Sequence, residues 1–275
     1  MHFYQQTDTG VEPRHFVPMA SRPGEIRPTR MSDVRKAREQ GQVWVPSVTT
    51  ILNVLAKPGL ENWKIERHLE VAYGVDIDPE PGGNPYTPYG WIEEVRRLTE
   101  LEMDKAPTAG SDLHKSLEMW FSNALPVGHP DEAICRKVSM TIYDYTVACP
   151  IRWTPERRFV SPLGYGGQVD LSNDAWVIDF KSKQTADKFK PGKMVYDDHR
   201  IQLAAYREGL RQPPYYIDFK LQPEIRVRCA NVFVCLETGE IDFHEHSETE
   251  LEKGWRMFKA ALEIWKEMND VLAIS

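Results

Sequence analysis

Residues 164–183 read GYGGQVDLSNDAWVIDFKSK and carry Asp170, Asp179 and Lys181 inside what is otherwise the pattern of a tight apolar β-hairpin. Two acids facing each other across strands repel, and one adjacent lysine relieves only part of that. The arrangement costs stability unless something cationic sits between the carboxylates. Alternation along WVIDFKSK puts Asp179 and Lys181 on one face. A turn over Ser172–Ala175 pairs Leu171 with Trp176 and sets Asp170 opposite Val177, which makes Asp170 the diagonal neighbour of Asp179 on that face. One residue of slip would carry Asp170 to the other side.

Two carboxylates converging with a backbone carbonyl, here that of Phe180, form an all-oxygen cage suited to Mg²⁺ or Mn²⁺. An ion there activates a water and neutralises phosphoryl charge, while Lys181 holds the water or the phosphate. Gly164, Gly166 and Gly167 remove side-chain bulk and would let another backbone, such as that of a nucleic acid, approach. The competing reading is a surface hairpin with an Asp179–Lys181 salt bridge, and an isolated D-x-K favours it.

The surroundings add candidates. GSDLHKSLE puts His114 and Glu118 four apart on one helical face, the first as a further metal ligand and the second as a ligand or orienting group. Glu156 opens the strand that precedes the hairpin and could face the same cleft. In IQLAAYREGL, Gln202 and Tyr206 are four apart, an amide and a phenol able to bind a phosphate or brace Lys181; capping the sheet edge is the plainer role. Between Lys181 and Lys193 stand five lysines against one acid, Asp187. This local excess can bind phosphate in a chain whose net charge is −7; a solvated loop is the bland alternative.

Over 275 residues, 41% hydrophobic and 27% charged content is ordinary for a globular protein. No apolar run approaches the about 20 residues of a membrane span, and the N-terminus lacks the basic and apolar regions of a signal peptide, so a cytoplasmic location is expected. Cys135, Cys149, Cys229 and Cys235 are scattered, reading as reduced thiols and not as a metal cluster. Residues 1–42, polar and without period, are expected to form an extended arm. Helices are expected from Ser47, over GLENWKIERHLEVAYG, over WIEEVRRLTELEMD, from Gly110–Ser111, over DEAICRKVSMTIYDYTVACP and over HRIQLAAYREGL, with a breaker-rich loop over 74–90. IRVRCANVFVCL and EIDFHEH make a second hairpin, and Ser247 with Glu250 caps a last helix whose stripe is Leu251, Trp255, Phe258, Leu262 and Trp265. One α/β domain over 43–275 results: helices over 47–149, a mixed sheet over 150–246, and a final helix over 247–272.

Taken in order, G-S-D-L-H-K-S-L-E, Glu156, G-G-Q-V-D, I-D-F-K and Q-L-A-A-Y resemble the PD-(D/E)XK nuclease superfamily, in its RecB-like, phage-type exonuclease branch. The match spans 110–206, and P-S-V-T-T-I-L with L-E-N-W extends it to about residue 46. The resemblance implies a restriction-endonuclease-like core, a metal site at His114, Asp170 and Asp179, Lys181 as catalytic lysine, and Gln202 and Tyr206 as a Q-x-x-x-Y motif. Asp179 stands where many relatives have Glu. Some members hold an iron–sulfur cluster by one early and three late cysteines; only Cys229 and Cys235 lie late here, so no cluster is expected. The expected activity is Mg²⁺- or Mn²⁺-dependent hydrolysis of DNA from an end. Lys183, Lys188, Lys190, Lys193 and Arg200 would track the strand and Tyr165 would stack on bases, unless Tyr165 is core. A structure-specific endonuclease and a catalytically silent DNA- or protein-binding module are the alternatives.

Overall fold

The hairpin is the middle of a five-stranded sheet in the order β10-β9-β8-β7-β6. Its strands are β6 (Thr154–Ser161), β7 (Tyr165–Ser172), β8 (Trp176–Lys183), β9 (Arg228–Cys235) and β10 (Ile241–His246). The computed structural model describes residues 1–19, 22, 24–56, 58–75, 88–103, 105–146, 152–211 and 227–269. Neighbours in this sheet are antiparallel except β8 and β9, which run parallel. A parallel pair cannot be joined by a tight turn, and helix α7 (Asp197–Leu210) lies in the connection. The architecture is mixed α/β, a central mixed sheet with helices, as the alternation of elements predicts.

The turn differs from expectation, and Asn173 is the reason. Its Oδ1 accepts from the backbone N–H of Ala175 (2.9 Å) and Trp176 (2.8 Å), which moves the turn toward Trp176. Leu171 therefore pairs with Ile178 and Ser172 with Val177, a shift of two residues. Because side chains alternate with period two, an even shift keeps the faces, and it turns Asp170 toward Asp179 directly.

One face of the sheet is covered by α7, α8 (Glu248–Met268) and the short α2 (Val48–Leu52), around Phe159, Tyr165, Val169, Val177, Ile201 and Phe258. Helix α8 starts at the expected capping box, with Ser247 Oγ accepting from Glu250 N, and it buries Leu251, Phe258, Leu262 and Trp265. Tyr165 is core, fully buried, its hydroxyl donating to Ala205 O at 3.0 Å; base stacking by it is excluded. The glycines serve the core too. A Cβ on Gly167 would lie 2.8 Å from the Phe159 ring and 2.9 Å from that of Tyr206, so this glycine admits two rings and not an approaching nucleic-acid backbone.

The N-terminal residues are folded, not an extended arm. β1 (Phe3–Thr7) pairs with β2 (Gly10–Pro13) and with β5 (Trp44–Pro46). β3 (Phe16–Pro18) pairs with β4 (Ile26–Pro28), and α1 (Met31–Glu39) buries Val34 and Ala37. Phe3 and Tyr4 are buried, anchoring a stretch that is polar and without period in sequence. Ser47 caps α2 as expected, accepting from Thr50 N at 3.0 Å.

The chain divides into two compact units, Ala56–Leu113 and the remainder, a split the single expected domain did not contain. The smaller holds α3 (Pro58–Gly74), α4 (Pro88–Met103), which pack on each other, and the first half of α5 (Lys105–Phe121). α5 starts five residues before the expected Gly110. Helix α6 (Glu132–Thr146) follows in the larger unit. Most of the expected 74–90 loop, and Cys149, lie outside the described residues. Among them, no helix is long and apolar enough to cross a membrane.

Gly209 gives a test of this packing. A Cβ there would lie 2.0 Å from the ring of Phe159, which is itself fully buried. Gly to Ala within a helix ordinarily stabilises by about 1 kcal/mol; Gly209→Ala is expected to destabilise instead, by about 1–3 kcal/mol of overpacking, read as a lower Tm. A raised Tm would refute the helix–sheet contact.

Candidate active site

β7 and β8 pair over only two positions, Leu171↔Ile178 and Ser172↔Val177. Beyond them the strands part, and the backbone N–H of Phe180 is left facing the gap. The Asp170 carboxylate fills it, Oδ2 accepting from Phe180 N at 2.7 Å. In an extended strand one residue's N–H and C=O point to the same side, so the Phe180 carbonyl faces the gap as well. His114, on the part of α5 that belongs to the larger unit, places Nδ1 3.5 Å from Asp170 Oδ2 and meets the Phe180 ring edge-on. Burial alone would lower the His114 pKa; the bond to Asp170 and the charges of Asp170 and Asp179 outweigh it and raise it.

Asp179 is 2% exposed. Its carboxylate takes three donors: Lys181 Nζ at 2.8 Å, Gln202 Nε2 at 3.1 Å and Asn231 Nδ2 at 2.8 Å. Burial pushes this carboxyl up, with Lys181 pulling the other way, and its partners include no acceptor for a carboxyl proton. Lys181 also donates to Gln202 Oε1 at 3.2 Å. Burial works to lower Lys181, but the charges of Asp179 and Asp170 prevail and raise it. The lysine is therefore held as an ammonium ion. Gln202 also donates to the Tyr206 hydroxyl at 2.9 Å, and burial keeps that phenol neutral, its pKa well above the ordinary value.

Glu156 stands opposite Asp170 on β6, and pairing skips both: it runs Pro155↔Leu171, then Arg157↔Val169. Glu156 has φ +53°, a left-handed conformation costing about 1–2 kcal/mol for a residue with a Cβ. Its carboxylate accepts from Gln168 Nε2, and Gln168 Oε1 accepts from Arg158 Nε at 2.7 Å. Burial, then the charges of Asp170 and Glu118, push Glu156 up to about 7. Glu118 is tied to Lys115 at 2.6 Å on its own helix. Glu156, Asp170 and Glu118 thus repel one another in a gap whose nearest basic ring is His114. This excess of hard oxygen donors fits a divalent cation.

The structure thus brings together His114, Glu118, Glu156, Asp170, Asp179, Lys181, Gln202 and Tyr206. The basic segment is only partly as expected. Its loop is pinned, Ala186 N donating to Glu237 (2.7 Å) and Gly192 N to Asp242 (2.8 Å), with Phe189 and Met194 buried against Phe233. Lys188, Lys190 and Lys193 are exposed. Lys183 lies over the Tyr196 ring, 5.4 Å from its centre. Arg200 is not a strand-tracking cation: its side chain is 17% exposed and paired with Asp197 at 2.7 Å.

Asn231 and Gln168 escaped the sequence reading. A lone Asn in the apolar run CANVFVC was the available signal for the first; it is fully buried and paired with Asp179 in the β8–β9 register. Gln168 stood inside a quoted motif, but its role needs the register of β6.

Fold and site define an α/β protein with a buried acid–lysine centre at the parting of two strands. No protein-family model and no curated protein matches the chain. Among the solved structures similar to it are three that match over part of their length. A candidate exonuclease of Eubacterium rectale is 13% identical, over 58% of this chain and 67% of that one, with TM-score 0.36. SSO0001 is 14% identical, over 64% of each chain, with TM-score 0.29. An alkaline exonuclease of Laribacter hongkongensis is 14% identical, over 57% of this chain and 84% of that one, with TM-score 0.20. The chain spans about two thirds of the first two.

Glu156 sets a pH dependence. With its folded pKa at about 7 against an ordinary 4.5, folding favours the protonated form. That stabilisation is complete below the ordinary value and is lost as pH rises through 7. In metal-free protein, Tm is expected to fall over this range more steeply for the natural chain than for Glu156→Gln; parallel curves would show that Glu156 does not titrate this way.

Proposed function

We propose that this chain is a metal-dependent deoxyribonuclease of the PD-(D/E)XK type, RecB-like, hydrolysing phosphodiester bonds from DNA ends. The observation that carries the reading is the convergence of Asp170, Asp179 and Lys181 where β7 and β8 part, with His114 and Glu156 on the flanks and Gln202 beneath. A surface salt bridge has no need of a carboxylate that is 2% exposed and held by three donors.

Asp170, Asp179, His114 and the Phe180 carbonyl are the groups that would hold Mg²⁺ or Mn²⁺, with Glu156 and Glu118 adjacent. When bound, such an ion neutralises phosphoryl charge and makes water a better nucleophile at neutral pH. Lys181, kept protonated by the two acids, donates to a phosphate oxygen or the attacking water and stabilises the charge that grows there. Gln202 sets the Lys181 ammonium, accepting from it while donating to Asp179. Tyr206 fixes the amide of Gln202, so it acts as a positioning residue. His114 accompanies Asp170 and shares its charge. Lys183, Lys188, Lys190 and Lys193 supply the basic surface for the strand backbone. Host or phage cytoplasm fits a DNA substrate, and recombination, replication or repair are the settings that need such an activity.

The test uses end-labelled linear DNA with Mg²⁺ or Mn²⁺, beside a closed single-stranded circle. The natural chain is expected to degrade the linear DNA and leave the circle. Asp170→Asn and Lys181→Ala should each cut the rate by about 10²–10³-fold, with Mn²⁺ binding by calorimetry retained in Lys181→Ala. Intact linear DNA would end the enzyme reading in favour of a silent binding module; a cut circle would make the protein an endonuclease.

A further inference from the structure

A second group of ligand atoms occupies the far end of the same row of residues. In register, Asp179 of β8 lies beside Asn231 of β9, and Asn231 lies beside His244 of β10. His246, two residues on, is on the same side of its strand. Glu250 follows in the first turn of α8, where its Oε2 accepts from Ser247 N (2.8 Å) and Oγ (2.7 Å). One ligand atom from each of His244, His246 and Glu250 lies within 4.8 Å of the other two.

The imidazoles are unfinished in a specific way. His246 is 2% exposed, yet its Nδ1 is buried without a hydrogen-bond partner, and so is Nε2 of His244. Buried polar atoms are nearly always satisfied, so each orphan calls for an explanation. The tautomer of His246 follows from its neighbour. Asn231 donates its Nδ2 to Asp179, which leaves Oδ1 to face His246 Nε2 at 2.8 Å. An oxygen there requires a proton on Nε2, and Nδ1 then carries a free lone pair. A ring held through one nitrogen by a fixed acceptor, with the other bare, is the usual setting of a metal-binding histidine. A cleft of about 280 Å³, lined by Arg228, Glu245, His246, Ser247, Glu248 and Leu251, adjoins His246.

We propose that His244 Nε2, His246 Nδ1 and the Glu250 carboxylate bind one transition-metal ion of the Zn²⁺ class, at a site separate from the acid–lysine centre. Two imidazoles and one carboxylate suit Zn²⁺, whereas Mg²⁺ takes oxygen donors and keeps its waters. The ion would satisfy both orphan nitrogens. It would also fix the His246 ring, which is bonded to Asn231.

The test is calorimetric titration of metal-free, full-length protein with Zn²⁺ in excess Mg²⁺, repeated with Co²⁺ to read visible d–d absorption. One Zn²⁺ per chain is expected, with Asp170→Asn binding it within about threefold of the natural chain. His244→Ala and Glu250→Gln are each expected to weaken it by about tenfold or more and to reduce the Co²⁺ bands. Gln at position 250 still serves the capping box, so loss there does not report a frayed helix, and circular dichroism checks the His244→Ala fold. Absence of Zn²⁺ binding overturns the proposal, as does Zn²⁺ lost in Asp170→Asn but kept in His244→Ala. No step of this test reads DNA cleavage, so it stands or falls apart from the nuclease reading.

Discussion

A single buried carboxylate governs the arrangement of the sheet. Asp179 sits in the middle strand at 2% exposure, where an unpaired charge would cost about 3–5 kcal/mol. Its donors come from three elements: Lys181 from its own strand, Gln202 from α7 and Asn231 from β9. Two of the three contacts depend on tertiary structure. The parallel β8–β9 register must be the one that sets Asn231 beside Asp179, since a slip of one residue would offer Ala230 or Val232. Helix α7 must dock with Gln202 inward, and Gly167 and Gly209 let it come close by leaving room for the Phe159 and Tyr206 rings. Satisfying one acid thus ties together strand order, register and helix packing.

That same demand explains what the residues revealed beforehand. The shared face of Asp170, Asp179 and Lys181 was legible because period two survives an even register shift. The register itself was not, because it turned on the Asn173 side chain capturing two backbone N–H groups. The start of helix α8 was legible from its cap, and its buried face from Leu251, Phe258, Leu262 and Trp265. The first 42 residues were not: Phe3 and Tyr4 are two apolar residues in a polar stretch, and their partner strand β5 begins at Trp44. Arg200 looked like a free cation in the sequence, but helical spacing pairs it with Asp197. Glu156 was read as able to face the cleft, but its left-handed backbone, which takes it out of the ladder opposite Asp170, has no signature in its neighbours.

The row Asp179–Asn231–His244 runs across three strands, with His246 bonded to its middle member. Polar residues in the interior of apolar strands are tolerated where each satisfies the next, and here the chain of bonds runs from Lys181 through Asp179 and Asn231 to the His246 ring, whose Nδ1 has no partner. The sheet therefore carries an acidic, oxygen-rich gap at one end of this row and a nitrogen-rich cluster at the other. Hard and borderline cations differ in which of these they select, so one fold can separate the two without competition.

Anomalous diffraction at the manganese edge, from crystals of the full chain soaked in Mn²⁺, tests most directly whether the repulsion of Asp170 with Glu156 and with Asp179 exists to hold a cation. The expected result is a peak in the gap between β7 and β8, bounded by Asp170 and Asp179, with Lys181 still paired to Asp179. Crystals that take up Mn²⁺ elsewhere, or not at all, while Asp170 and Asp179 keep their present hydrogen bonds, would contradict it.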